Sequence, residues 1–266
     1  MKNKTLRPVA FVVTSTNHGT MIVNRNDYRM IDHERGYGVG YQLLTTSSFD
    51  QQEVDFVLQL LVERRNSFGD GVVAIDLGAN IGVHTIEWSK FMYGWGSVIA
   101  VEAQERLFYA LAGNVAINNC FNAKVIWGAI GESNGTLNVP VPNYHSPGSF
   151  GSMELIPSGN NEFIGQVVDY SPEQSMQTPL FTLDSLNLSR IDLIKIDVEG
   201  MEMSVLRGGL GSIQNFRPIM VIERIKVDEQ ELKNFLVAAG YLLFDFGINV
   251  VAVHCTDEIH KKIMTA

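Results

Sequence analysis

The sequence predicts an α/β fold, a mostly parallel sheet with helices on both faces. Three observations carry that expectation. From residue 72 onward, short apolar runs of strand length alternate with segments whose apolar residues recur at helical spacing. The succession strand, helix, strand, helix, strand requires crossover connections, which are right-handed and give parallel pairing. The 266 residues are 45% apolar and 18% charged, which supports one sizeable core and is too apolar for a disordered or fibrous chain.

The elements follow in order. Val9 to Val13 and Met21 to Val23 flank a turn at Asn17-His18-Gly19 and read as a β-hairpin. A polar, glycine-rich stretch runs from Asp32 to Gly40. A helix starts between Ser48 and Glu53, with Val54, Val57, Leu58 and Leu61 on one face. Val72 to Ile75 is a buried strand, Ile81 to Phe91 a helix, and Val98 to Val101 a second strand. Leu107, Phe108, Leu111, Ala112 and Val115 form one face of a second helix, and Val125 to Trp127 start a third strand. Asn134-Gly135 turns the chain into Leu137 to Val139. The next forty residues hold six of the eight prolines and read as a long irregular loop, a common seat of function. Leu193 to Ile196 is a strand, Met201 to Ile213 a helix, and Ile219 to Ile222 a strand. Leu232, Phe235, Leu236 and Ala239 make a helical stripe ended by Gly240. Leu242 to Phe246 and Val250 to Val253 are a final strand pair.

Charge narrows the partners. The net charge is −9, and no Lys or Arg occurs between Pro140 and Pro179, where Glu154, Glu162, Asp169 and Glu173 stand. A grip on nucleic acid depends on Lys and Arg neutralising phosphates, so no nucleic-acid partner is expected. No apolar run approaches the roughly 18 residues that span a bilayer, and Val9 to Val13 is shorter than a signal-peptide core, so no membrane partner is expected either. Cys120 and Cys255 show no metal spacing and fit a reducing cytoplasmic compartment. The edge of the N-terminal hairpin offers strand pairing to a homodimer.

The strongest chemical signal is Asp76-Leu77-Gly78-Ala79-Asn80-Ile81-Gly82, at a strand-to-helix junction. Glycines there admit a ligand to the backbone, and the helix N-terminus offers free N–H groups. Glu102 follows Gly82 by twenty residues, at the end of the second strand, where a carboxylate accepts from ribose hydroxyls. The dinucleotide fingerprint needs glycine where Asn80 and Val83 stand. Asp76 would repel a pyrophosphate but suit an ammonium group. S-adenosyl-L-methionine carries ammonium, carboxylate and ribose and no phosphate. The expected cofactor-binding set is Asp76, Gly78, Ala79, Asn80, Gly82, Glu102, Ala129 and Asp197.

A second signal is Lys195-Ile196-Asp197-Val198-Glu199-Gly200-Met201-Glu202, closing one strand and opening a helix. Ligands of open parallel sheets bind at the carboxyl ends of the strands, so Asp197 should lie near the glycine turn. Asp197 is the first candidate for a catalytic base and Glu199 the second. Glu223, ending the next strand, would complete a divalent metal site with Asp197 and Glu199 if a metal is used; its bland role is a pair with Arg224. Glu202 is equally a helix-start carboxylate. Lys195, inside a strand, should pair with a neighbouring carboxylate. His145 and Ser149, on the proline-rich loop, are candidate substrate residues, and His84 reads as packing or solvent-facing.

These motifs, together with Val101-Glu102-Ala103, Asn114, Asn118 and Thr182-Leu183-Asp184, resemble the FkbM family of S-adenosylmethionine-dependent methyltransferases, most clearly over Val72 to Arg207. The resemblance implies a class I methyltransferase (Rossmann-like) fold with a seven-stranded sheet. It also implies O-methylation of a small-molecule or sugar/glycan-type acceptor. Residues 1–47 then form an N-terminal hairpin extension. Residues 48–266 form the methyltransferase domain, with a substrate-loop insertion at about 138–180. The competing readings are an NAD-type oxidoreductase, against which Asn80 and Val83 weigh, and a non-catalytic cofactor-binding module.

Overall fold

The computed structural model describes residues 8–33 and 35–263. The chain opens with the expected hairpin, β1 (Phe11–Thr16) and β2 (Gly19–Asn24), antiparallel with Thr16 opposite Gly19. A two-residue pair, β3 (Arg29–Met30) and β4 (Gly36–Tyr37), leads into α1 (Val39–Thr46), a short helix that begins at the end of the polar, glycine-rich stretch and was not expected. Then come α2 (Gln51–Phe68), β5 (Val72–Leu77), α3 (Val83–Phe91), β6 (Gly96–Glu102), α4 (Glu105–Ile117) and β7 (Ala123–Trp127).

The proline-rich region is more ordered at its ends than expected. β8 (Ala129–Ile130), β9 (Gly135–Pro140) and β10 (Ser175–Phe181) form a small sheet in the order β8-β10-β9, so the irregular loop is confined to residues 141–174. After it come β11 (Leu193–Ile196), α5 (Glu202–Gly208), α6 (Leu210–Phe216), β12 (Ile219–Glu223) and α7 (Glu229–Ala238). The chain ends in β13 (Tyr241–Phe246), β14 (Asn249–His254) and α8 (Ile259–Ile263). The single helix expected from Met201 to Ile213 is broken at Gly209. There Asp184 accepts from the Gly211 and Ser212 backbone N–H groups and starts α6 separately.

Seven strands form the main sheet in the order β13-β14-β12-β11-β5-β6-β7. Pairing is parallel from β12 through β7, and β14 runs antiparallel to both of its neighbours. The order reverses between β5 and β11, the crevice where such sheets hold ligands.

Strand periodicity of two divides the core into two layers. Ile75, Leu77, Ile194, Ile196, Met220 and Ile222 pack toward α5, α6 and α7. Val72, Ala74, Leu193 and Val221 face Val57, Leu60 and Leu61 of α2 and Trp88 and Met92 of α3. By the same alternation Asp76 and Lys195, register partners on adjacent strands, face the α2 and α3 layer. Among the described residues, no helix is long and apolar enough to cross a membrane.

The N-terminal hairpin is bound to this body by side-chain amides. Asn114 of α4 accepts from Ile22 N and donates to Ile22 O, and Asn118 does the same at Thr20. Two asparagines one helical turn apart thus pair with the backbone of β2. The turn residue His18 is fully buried, with Nδ1 3.0 Å from Glu87 Oε1 and Nε2 accepting from Phe49 N.

Asp27 closes the loop over the sheet. Its carboxylate accepts from Gly40 N at 3.1 Å and from Phe150 N at 3.0 Å, joining the start of α1 to the proline-rich loop. Burial raises its pKa from 3.8 to about 6 against the pull of those two donors. Between these values the folded chain holds a proton that the unfolded chain has released, so stability falls as pH rises. The Asp27→Asn variant removes this titration. Relative to that variant, the native chain should lose about 2 kcal/mol between pH 4 and pH 6 in urea unfolding. A constant difference across that range would show that Asp27 does not titrate as its burial requires.

Candidate active site

The carboxyl ends of β5, β6, β11 and β12 border one cavity of about 470 Å³. Its first half is the glycine turn after β5. Gly78 has φ +80°, and a Cβ there would stand 1.7 Å from the Asp197 carbonyl oxygen, so glycine is required by contact as well as by conformation. The approach is fixed by Asp197 N donating to Leu77 O, and by Gly78 N and Ala79 N both donating to Val101 O. Gly82, at φ +93°, starts α3.

Glu102 is tied to that turn directly. Oε2 accepts from Asn80 N at 2.9 Å and Oε1 from Gln104 N at 2.7 Å. Burial raises its pKa to about 7 despite both donors. Ala129 completes this half. Asp76 also lines the cavity, but it is almost wholly buried and accepts from the Thr85 hydroxyl at 2.6 Å. Its carboxylate anchors α3 to β5 as well as facing the site.

The second half lies over β11, β12 and β14. Lys195 Nζ is 2.7 Å from Asp197 Oδ2 and 4.0 Å from Glu53 Oε1. Burial alone would lower the lysine pKa, but Asp197, Glu53 and Asp76 together hold it above the usual lysine range. Lys226 donates to Glu199 at 2.6 Å and to Ser152 O at 2.6 Å, and lies 3.1 Å from Glu162. It therefore joins the floor of the site to the proline-rich loop. Glu199 sits at φ +54°, a left-handed conformation that the Lys226 pair helps to hold. Glu223 lies well above the usual carboxylate range through burial and the nearby Asp197 and Glu199. Arg224, its expected partner, pairs instead with Asp245 and Glu229.

Asp197, Glu199 and Glu223 each bring one oxygen within 4.8 Å of the others, a spacing that fits a divalent cation. Two of the three already have lysine partners, so the protein itself supplies much of the charge a cation would offer. Glu202, the first residue of α5, makes no cap hydrogen bond to the helix; it accepts from Gly200 N and Val198 N and so braces the turn after β11.

All the expected cofactor residues and Asp197, Glu199, Ser149 and Glu223 line this cavity. His145 does not. It is exposed on the loop, where its backbone N–H donates to Asn143 Oδ1. His84, expected to be packing or solvent-facing, is buried in the cavity wall. Sequence reasoning passed over Glu53 and Asp50 at the start of α2, and over Lys226 and Gln104. A carboxylate in the first turn of a helix reads as dipole compensation. Only the strand order places α2 above β11.

The model of the methyltransferase FkbM domain matches residues 76–243. Methyltransferase sdnD of Sordaria araneosa is 27% identical over 157 residues, an alignment covering 50% of this chain and 59% of that protein. Methyltransferase 1 of Beauveria bassiana is 24% identical over 151 residues, covering 53% of this chain and 59% of its own length. The chain therefore spans less than two thirds of these relatives. The solved structure of a methyltransferase FkbM from Methylobacillus flagellatus superposes with a TM-score of 0.50 at 15% identity, over 72% of this chain and 48% of that one. At that identity the likeness concerns the fold.

Gly78→Ala tests the contact on which the site is built. Gly94 shares a positive φ, +83°, but a Cβ there meets nothing within 4 Å. Gly94→Ala should cost only the left-handed strain, about 1–2 kcal/mol. Gly78→Ala should cost several kcal/mol more in urea unfolding, of the order of overpacked core sites. Equal costs at the two positions would show that the turn relaxes freely around a side chain.

Proposed function

The chain belongs to the FkbM methyltransferase family, and from that premise we propose that it transfers a methyl group from S-adenosyl-L-methionine to a hydroxyl oxygen of a small-molecule or sugar/glycan-type acceptor. The observation that carries this reading is one cavity with the Gly78–Gly82 turn and Glu102 on one side and Asp197 on the other. The residues present fit the cofactor. Glu102 keeps lone pairs for two ribose hydroxyls beyond the two N–H groups it accepts. The turn offers backbone without side chains at Gly78 and Gly82. The bound cofactor supplies an electrophilic methyl group on a positively charged sulfur.

The chain's own part is positioning and proton transfer. Holding the hydroxyl in line with the methyl group supplies much of the rate in a displacement of this kind. Asp197, at the carboxyl end of β11, stands where the hydroxyl would be oriented and its proton accepted. Lys195 Nζ, 2.7 Å from Asp197 Oδ2, orients that side chain, and carboxylates in general are weak bases. A weak base suffices, because the hydroxyl becomes strongly acidic as its oxygen forms the new bond. The acidic wall of Asp50, Glu53, Glu199 and Glu223 disfavours an anionic acceptor and accepts hydrogen bonds from a neutral, hydroxyl-rich one.

Two variants separate binding from turnover. Glu102→Ala should weaken S-adenosylhomocysteine in calorimetric titration by about tenfold or more, the loss expected for charge-assisted hydrogen bonds. Unchanged affinity would remove Glu102 from the ribose site. Asp197→Asn should bind S-adenosylhomocysteine within a few-fold of the native chain. Its transfer of labelled methyl into the small-molecule fraction of a cell extract should fall by roughly 10²–10⁴, the usual contribution of a positioned acid or base. Full transfer would exclude Asp197 from the proton step.

A further inference from the structure

The N-terminal hairpin has two long edges, and the protein treats them differently. Arg25 N donates to Ala10 O at 2.9 Å, and the two-residue turn Asn17-His18 sets Thr16 opposite Gly19. Along an antiparallel strand, successive residues aim their N–H and C=O groups alternately at the partner strand and away from it. Ala10, Val12, Thr14 and Thr16 therefore face β2, and the backbone groups of Phe11, Val13 and Ser15 point outward. On β2 the same alternation turns Thr20 and Ile22 outward. There the outward groups are taken up by side-chain amides, Asn118 pairing with Thr20 and Asn114 with Ile22.

The β1 edge has no such cover. Among the described residues, the outward groups of Phe11, Val13 and Ser15 meet only the Thr14 hydroxyl, 3.4 Å from Ser15 O. Native proteins guard an open edge with charge, proline or a bulge. Phe11–Thr16 contains no charged residue and no proline, and its register with β2 runs one to one over all six pairs. The Val13 side chain at its middle is 63% exposed.

We propose that β1 is the interface of a two-fold homodimer, pairing antiparallel with β1 of a second copy about Val13. Val13 of one copy then lies opposite Val13 of the other, and Phe11 opposite Ser15, so every outward donor meets an outward acceptor. Val12 and Thr14 also come opposite each other, a pairing of β-branched side chains that sheets favour. The far edge decides the occupant. A foreign strand added to β1 brings a new bare edge of its own. A second copy brings β2, whose outer edge its own Asn114 and Asn118 already cover. The four strands β2-β1-β1-β2 thus end in covered edges on both sides, which closes the assembly at two copies. An uncharged strand is also where two chains of net charge −9 meet with least repulsion.

Sedimentation velocity on the full chain at micromolar concentration tests this. The native chain should sediment as a dimer, at twice the 29.5 kDa of one copy. Val13→Pro removes one outward N–H from each copy without touching the β2 ladder, a substitution that edge strands tolerate. It should weaken dimerisation by about tenfold or more, with the circular dichroism spectrum unchanged. If Val13→Pro fails to fold, Val13→Lys serves instead, since it sets like charges opposite each other at the axis and should weaken the dimer equally. Val13→Cys in a Cys255→Ser background should cross-link the two copies on oxidation, because directly opposed residues of this kind stand ~5.5 Å apart at Cα, within disulfide reach. A native chain that sediments as a monomer, or as an open series of larger species, overturns the proposal. So does a folded Val13→Pro or Val13→Lys chain that dimerises as tightly as the native one, or a Val13→Cys dimer that does not cross-link.

Discussion

The site depends on one buried ammonium. Lys195 lies inside a strand with its side chain 7% exposed, an arrangement tolerable only where carboxylates surround it. They come from three separate parts of the chain: Glu53 from α2, Asp76 from the neighbouring strand, and Asp197 two residues further along. Meeting that charge requires α2 to lie across β11 and requires β5 to pair with β11 in the register that sets Asp76 beside Lys195. The same requirement gathers acidity at one edge of the sheet, where it becomes available to a ligand. Much of the net charge of −9 is thus spread around two lysines, Lys195 in the floor and Lys226 beneath the loop.

The close approach of Gly78 to the Asp197 carbonyl is the steric counterpart of that electrostatic constraint. It brings the turn after β5 and the turn after β11 into contact, so the two halves of the cavity share a wall. Glu102 tightens the arrangement from the other side through the Asn80 N–H. A residue that sequence suggests only as a ribose ligand is therefore also part of the scaffold of the glycine turn. Function and stability are not separable at this position.

The roof of the site is held differently from its floor. Asp27, Gln104 and Lys226 reach the loop through its backbone, at Phe150 N, Phe150 O and Ser152 O. These backbone contacts fix the path of the loop, and the side chains of Tyr144 and Glu162 add contacts to Gln104 and Lys226. The N-terminal hairpin is held in the same way, by Asn114 and Asn118 acting on the backbone of β2.

By itself the sequence determined the local chemistry: a buried strand ending in Asp76, the glycine turn, the carboxylate twenty residues later, and Lys195 and Asp197 at the end of another strand. Each of these is a short-range pattern set by strand or helix periodicity and by turn conformation, so a few residues suffice to read it. Only the tertiary structure decided which of these patterns meet. It put Glu53 and His84 in the cavity wall, gave Lys226 to Glu199, kept His145 out of the cavity, and turned Asn114 and Asn118 into a mount for the hairpin. These contacts join residues up to about a hundred positions or more apart, and depend on the order in which crossovers lay the strands side by side. That order is fixed by burial summed over the whole core, and no single segment carries it.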